Sequence, residues 1–297
     1  MKTKIITIFL ICFGFCQDTF SIVAVNPYTG EVGSAGASCI AGSIIISDVH
    51  PGYGAIHTQS YWLSGNQNLA SDYMGLGYTP QQIMDSLVVN DVQNNPTIRQ
   101  YGAVDLVDDG RSAAFTGENC FDYKGHIIGP TYAIQGNILL GEEILTQMEE
   151  NFLNAEGSFA ERLMFSLQGS NVPGADTRCL QYGTSSLSAF IRVAHPSDNT
   201  NDMYLDLNIN NVANGVEPID LLQNQFTNWL NSQPEILYGD LNNDSLINIS
   251  DILLMVSNIT SDNNLSIQSL YSADVNNDSN LNIQDIIIVI NIILGNN

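Results

Sequence analysis

The chain has 297 residues, with 31 acidic against eight basic side chains, a formal charge of −23 and 44% hydrophobic residues. This balance excludes nucleic acid and anionic membrane surfaces as partners, because both are bound through basic residues that neutralise phosphates. The length suits one medium domain followed by a small one.

Residues 1–16, MKTKIITIFLICFGFC, read as a secretory signal peptide. Lys2 and Lys4 precede an apolar run from Ile5 to Phe13, and the small residues Gly14 and Cys16 frame a cleavage site. The run is shorter than the roughly 20 apolar residues of a membrane helix. Bulky Phe15 argues against a lipid anchor on Cys16. The expectation is an exported protein, secreted or held at the cell surface. Removing the segment takes two of the eight basic residues and none of the 31 acidic ones, deepening the charge from −23 to −25. Cys39, Cys120 and Cys179 remain. In an oxidising compartment an odd number predicts one bridge and one free thiol, with the pair left open.

In chain order, TFSIVAV and EVGSAGASC are strand-like and are joined by a turn containing Pro27 and Gly30. GYGAIHTQSY reads as a further strand. Thr79-Pro80-Gln81-Gln82 carries the N-cap, first-turn proline and third-position glutamine of a capping box, predicting a helix to about Val89. QYGAVDLV and RSAAFTG flank Asp108-Asp109-Gly110 as a hairpin, and TYAIQGN is another strand. Helices are expected over 142–154 and 158–168, the second opening with the capping pair Ser158 and Glu161. SSLSAFIRVAH and MYLDLNIN read as paired strands, and Pro218 starts a helix that ends near Asn231. Strands at both ends with helices between and after them indicate an α+β layered fold. The expected organisation is a large domain over 19–231, a linker over 232–237 and a small all-α module over 238–297.

The clearest chemistry lies in the tail. DLNNDSLINISD at 240–251 is echoed by DVNNDSNLNIQD at 274–285, 34 residues later. Each copy places oxygen donors at loop positions 1, 3, 5, 9 and 12: Asp240, Asn242, Asp244, Asn248 and Asp251, then Asp274, Asn276, Asp278, Asn282 and Asp285. Leu246 and Asn280 stand at position 7, where a backbone carbonyl can serve. Calcium takes about six to eight oxygens at about 2.3–2.6 Å, and this spacing wraps one loop around one ion, two ions in all. Position 6 is Ser245 and Ser279 where calcium loops prefer glycine, and position 12 is Asp in place of the longer Glu. A module of about 60 residues has a small core, so ion binding is expected to supply much of its folding free energy. The tandem of loops, each followed by an apolar helical run, resembles a type I dockerin. That resemblance implies a cohesin-type protein partner. Positions 10 and 11, which contribute to partner recognition in that family, are Ile249-Ser250 and Ile283-Gln284 and depart from the usual Ser/Thr pair.

The large domain has no metal-protease helix, no nucleophile elbow and no phosphate loop. Its segments TFSIVAVNPYTGEVGSAGASC, GAIHTQSY, TGENC, KGH, AIQGN and GADTRCLQ, in that order, resemble the family known as domain of unknown function 1028 over about 19–210. The resemblance implies an αββα four-layer sandwich like that of the N-terminal-nucleophile hydrolases, with no established activity. In such hydrolases a terminal Thr, Ser or Cys attacks a carbonyl and its own α-amine is the base. Thr19 stands where that nucleophile would stand, but the expected signal cut leaves Gln17 and Asp18 ahead of it.

Further candidates for cleft chemistry are His57 and Gln59 near a strand end, His126 in a loop as a general base, and Asn137 as an amide donor to an oxyanion. Asp176 and Arg178 read either as a salt bridge or as a clamp for a substrate carboxylate. Three functional classes follow: an amide-bond hydrolase, a non-catalytic ligand or cell-wall binding protein, and an accessory component of polysaccharide degradation.

Overall fold

The computed structural model describes residues 19–261 and 265–295; the expected signal peptide lies outside them. Two antiparallel sheets form the centre. Strands β1 (Phe20–Asn26), β2 (Glu31–Ser38), β3 (Ser47–His50), β4 (Gly54–Gln59), β5 (Gln100–Asp105), β6 (Arg111–Thr116), β7 (Gly125–Gly129), β8 (Tyr132–Gly136), β9 (Ser188–Ala194) and β10 (Leu205–Ile209) make them up. One sheet has the order β10-β9-β2-β1-β8-β7, the other β3-β4-β5-β6. Every residue of β1, β2, β4 and β5 is buried. A strand covered on both faces reads as a continuous apolar or small-residue run, as TFSIVAV and EVGSAGAS do.

Helices cover the outer face of each sheet. On the smaller sheet, α1 (Ser64–Gly75) and α2 (Pro80–Val89) pack through Ala70, Met74, Ile83, Met84 and Leu87 against Ile56, Tyr101 and Ala103. On the larger, α3 (Glu143–Asn154), α4 (Phe159–Gln168) and α5 (Pro218–Leu230) bury Met148, Phe152, Leu163 and Phe226 against Phe20, Ile22, Ile134 and Ile191. The layer between the sheets holds Val23, Val25, Val32, Val49, Ala55, Val104, Ala133 and Ala194. The order is therefore helix, sheet, sheet, helix.

Both expected capping boxes form: Gln82 N–H donates to Thr79 Oγ1 at 3.2 Å and Thr79 N–H to Gln82 Oε1 at 2.9 Å. The Ser158 pair repeats this, with Ser158 N–H on Glu161 Oε2 at 2.8 Å. The hairpin around Asp108 is present as β5 and β6, and β9 pairs with β10. Cys39 is bridged to Cys179, and Cys120 stays outside the bridge as a buried thiol whose Sγ donates to Arg99 O at 3.3 Å.

The tail contains α6 (Ile249–Ser261), α7 (Ile267–Ala273) and α8 (Ile283–Leu294) around a core of Leu241, Met255, Ala273, Ile286 and Val289. It rests on the β1–β2 turn and the N-terminus of α4: Tyr28 Oη donates to Leu270 O at 2.9 Å, and Phe159 N–H donates to Tyr271 Oη at 2.9 Å. Among the described residues no helix is long and apolar enough to cross a membrane.

Candidate functional site

The layer between the sheets changes character along its length. Below the valine-rich half, the inward positions at the starts of β1 and β5 and the ends of β4 and β8 are polar: Ser21, His57, Gln59, Gln100 and Gln135, all fully buried. Strand alternation produces this, since Ser21 shares a face with Val23 and Val25, while His57 and Gln59 share one with Ala55. Thr58 points to the opposite side, yet it too is buried because helices cover that face.

Gln59 and Gln100 are the hubs. Gln59 Nε2 donates to Thr19 O at 3.0 Å and to Gln100 Oε1 at 2.7 Å, while its Oε1 accepts from Ser21 Oγ at 2.7 Å. Gln100 Nε2 donates to Thr116 Oγ1 at 2.9 Å and to Gly136 O at 2.8 Å. Asn137 Nδ2 donates to Gln100 Oε1 at 2.9 Å, and Asn137 N–H to Thr19 O at 3.3 Å. Gln135 Nε2 lies 2.7 Å from Ser21 Oγ and 3.3 Å from His57 Nδ1. Thr116 Oγ1 lies 2.8 Å from His126 Nδ1. Thr19, His57, Gln59, His126 and Asn137, far apart in the chain, thus belong to one hydrogen-bonded system. Gln100 joins its parts and had no distinguishing sequence signal, being one polar residue at the start of a strand. Gly102 makes room for the system: a Cβ there would overlap the Gln135 amide.

Thr19 is fully buried, just ahead of β1. Extending the register by one residue from Phe20↔Ala37 and Phe20↔Gly136 sets it between Ser38 and Asn137. Burial, and after it the nearby Arg192 charge, together lower the His57 pKa to about 3, so this imidazole is neutral at physiological pH. His57 Nε2, Gln135 Oε1 and Asn137 Oδ1 are buried without a protein hydrogen-bond partner. His126 stands on β7, not in a loop, because β7 pairs with β8 at His126↔Gln135. Its ring is exposed, although desolvation by the surrounding protein still lowers its pKa.

Asp176 and Arg178 form a two-point ion pair, with Arg178 Nε on Asp176 Oδ1 at 2.9 Å and Nη2 on Oδ2 at 2.5 Å. Asp176 Oδ2 also accepts Cys39 N–H at 2.9 Å. Between the two sequence readings, the geometry is that of the salt bridge: the guanidinium fork already holds a carboxylate. The pair ties the disulfide-bearing loop to the end of β2, beside the polar system.

In the tail the two loops repeat each other bond for bond. Asp240 accepts the N–H groups of Asp244 and Ser245 at 3.1 and 2.8 Å, and Asp274 those of Asp278 and Ser279 at 2.9 and 2.8 Å. Asp251 accepts Leu241 and Asn248 N–H, and Asp285 accepts Val275 and Asn282 N–H. These four carboxylates are buried, between 0% and 6% exposed. Burial raises the Asp274 pKa, with Asp285 and Asp278 adding repulsion against the lowering effect of its N–H donors. Buried carboxylates this close together are costly unless a cation joins them, so the donor set fits calcium. Among the described residues no three His, Cys, Asp or Glu side chains make a metal site by themselves. A loop holding an ion must therefore add its Asn side chains and a backbone oxygen.

Comparison with known proteins agrees with both halves. No curated protein matches the chain. Residues 238–294 match the type I dockerin domain, a module that typically binds calcium, interacts with cohesins and occurs in extracellular or cell-surface proteins. A crystal structure of a protein from Silicibacter pomeroyi, described as matching DUF1028, is 25% identical with a TM-score of 0.59, covering 71% of this chain and 88% of that one. The profile of the family of unknown function DUF1028 covers residues 19–219, and the chain belongs to that family.

Proposed function

We propose that the protein is exported, carries an amide-bond hydrolase of the N-terminal-nucleophile type in its large domain, and is attached through its tail to a cohesin-type partner. The observation carrying the hydrolase reading is the meeting of Thr19 with Gln59 and Asn137 at the polar end of the layer between two helix-covered sheets. The helix–sheet–sheet–helix order supports it. Once the segment before Thr19 is removed, the freed α-amine, which titrates near about 8, takes the Oγ proton. Oγ then adds to the substrate carbonyl. The leaving nitrogen departs with the proton, and water cleaves the resulting ester with the amine again as base. Asn137 retains a second Nδ2 hydrogen that can be offered to the oxyanion, since one serves Gln100. Gln59 positions Thr19 through its carbonyl.

In the tail, Asp240, Asn242, Asp244, Asn248 and Asp251 with the Leu246 carbonyl would hold one calcium ion. Asp274, Asn276, Asp278, Asn282 and Asp285 with the Asn280 carbonyl would hold a second. Exposed Ile249, Leu253, Val256 and Ile259 on α6 repeat as Ile283, Ile287, Ile290 and Ile293 on α8, a duplicated apolar face for the partner.

Mass spectrometry of the exported protein tests the hydrolase directly. The hydrolase reading requires a second trimming step beyond the signal cut and a mature terminus at Thr19, with amide or peptide hydrolysis that Thr19→Ala abolishes; a terminus at Gln17 rules the mechanism out. The unpartnered His57 Nε2 and Gln135 Oε1 favour a second reading, recognition of an uncharged polar ligand without turnover. Binding that survives Thr19→Ala in a protein inactive on amides, peptides and glycosides would establish it.

A further inference from the structure

The contact between the tail and the large domain is built around a buried acid. Glu31, 1% exposed, accepts a hydrogen bond from Thr29 Oγ1 at 2.6 Å and another from the phenol of Tyr271. His195 Nε2 stands 3.6 Å from its other oxygen, and the His195 ring stacks on Tyr204 at 3.8 Å. The Tyr271 oxygen also accepts Phe159 N–H, so both hydrogen-bonding capacities of the phenol are used by the large domain. Next to it, Tyr28 reaches across to Leu270 O. Phe159 N–H belongs to the first turn of a helix, where N–H groups have no partner within the helix.

Tyr271 and Leu270 both sit on α7, seven residues long. A helix this short has no stability of its own in water. Its neighbours hold it: Ser269 Oγ donates to Leu241 O at 2.8 Å and Gly239 N–H to Ser272 O at 2.7 Å, on either side of Asp240. At its other end the C-cap is Asp274, the first donor of the second loop. The segment that reaches the large domain is therefore suspended between the first residues of the two acidic loops.

We propose that the large domain carries a receptor, made of Glu31, Thr29, His195 and Phe159 N–H, for Tyr271 of the tail, and that calcium in the two loops sets α7 in the position that fills it. Resting on the calcium reading of the loops, this linkage goes beyond it. Without a cation the four buried Asp carboxylates repel, the loops open and α7 loses both anchors. Tyr271 then leaves Glu31, and the two domains separate about the 232–237 segment. By reciprocity, the docked large domain must raise the calcium affinity of loops it does not ligate.

The test uses the full chain, with calcium and with a chelator. Hydrogen exchange at Phe159 and in the 28–31 turn should accelerate at least tenfold on chelation, while β4 and β5 stay protected. The double variant Tyr28→Phe, Tyr271→Phe should still bind two calcium ions by calorimetry, but about tenfold more weakly. Its exchange in the 28–31 turn should then resemble that of the chelated wild type. If calcium binds and neither that exchange nor the variant's affinity changes, the linkage is wrong and the calcium loops stand. If calorimetry shows no calcium binding at all, both fall together.

Discussion

Asp91 and Arg99 face each other with side chains 0% and 1% exposed, Arg99 Nε lying 2.9 Å from Asp91 Oδ2. Burial alone raises the Asp91 pKa, but Asn95 N–H, the Arg99 and Asn66 side chains and Gln93 N–H outweigh it and lower the value to about 2. A carboxyl depressed below its ordinary 3.8 contributes stability above that pH and loses it as pH falls towards about 2. Asp91→Asn should therefore destabilise the protein at neutral pH by about 3–5 kcal/mol, because Arg99 remains buried without its counter-charge. Urea unfolding of the variant should show that cost and a flatter pH dependence below 3.8. None of this was legible in the sequence, where Asp91 and Arg99 are ordinary loop residues. Thr19, His57, Gln59, His126 and Asn137 stood out by residue type and by family motif. Gln100, which connects them, did not.

At the scale of elements, the acidic loops show where a local rule is broken and at what cost. Ser245 and Ser279, at the sixth position of each loop, adopt φ of 67° and 63°, the left-handed region that disfavours a Cβ. Ser245→Gly and Ser279→Gly should each stabilise the calcium-loaded tail by about 1 kcal/mol, read as a higher thermal midpoint of its transition. Unchanged melting in both variants would mean that the serine side chains compensate the strain. Helices α2 and α4 were readable because their capping boxes are local chemistry. The α1 helix, SGNQNLASDYMG, was not: its buried positions are Asn66, Ala70 and Met74, and Asn66 is held by Asp91 and Tyr101. A helix anchored by polar contacts to a distant loop leaves little apolar periodicity to read. The β7 strand, GHIIG, was missed for a related reason. It is short, glycine-bounded and defined by pairing with β8.

At the scale of the molecule, the Cys39–Cys179 bridge joins residues 140 apart and lies beside the Asp176–Arg178 pair that also binds Cys39 N–H. By the chain-entropy relation a loop of this size is worth about 4–5 kcal/mol, so Cys39→Ser with Cys179→Ser should lower the unfolding free energy by about that much. A loss under about 1 kcal/mol in guanidinium titration would show that the reduced chain keeps these ends together. The sequence by itself determined the α+β class, most strands and helices, the two calcium-type loops and the count of one bridge and one thiol. Each of these follows from local chemistry: periodicity, caps, donor spacing and parity. Only the tertiary structure decided which cysteines pair, that Gln100 links Thr19 to His126, that Asp176 occupies Arg178, and that Tyr271 of the tail seats on Glu31. The Asp176–Arg178 pair, two residues apart, was one of two local readings that only the folded loop could separate. Gln59 meets Gln100 across 41 positions, the cysteines pair across 140 and Tyr271 reaches Glu31 across 240, distances at which no local periodicity encodes a partner.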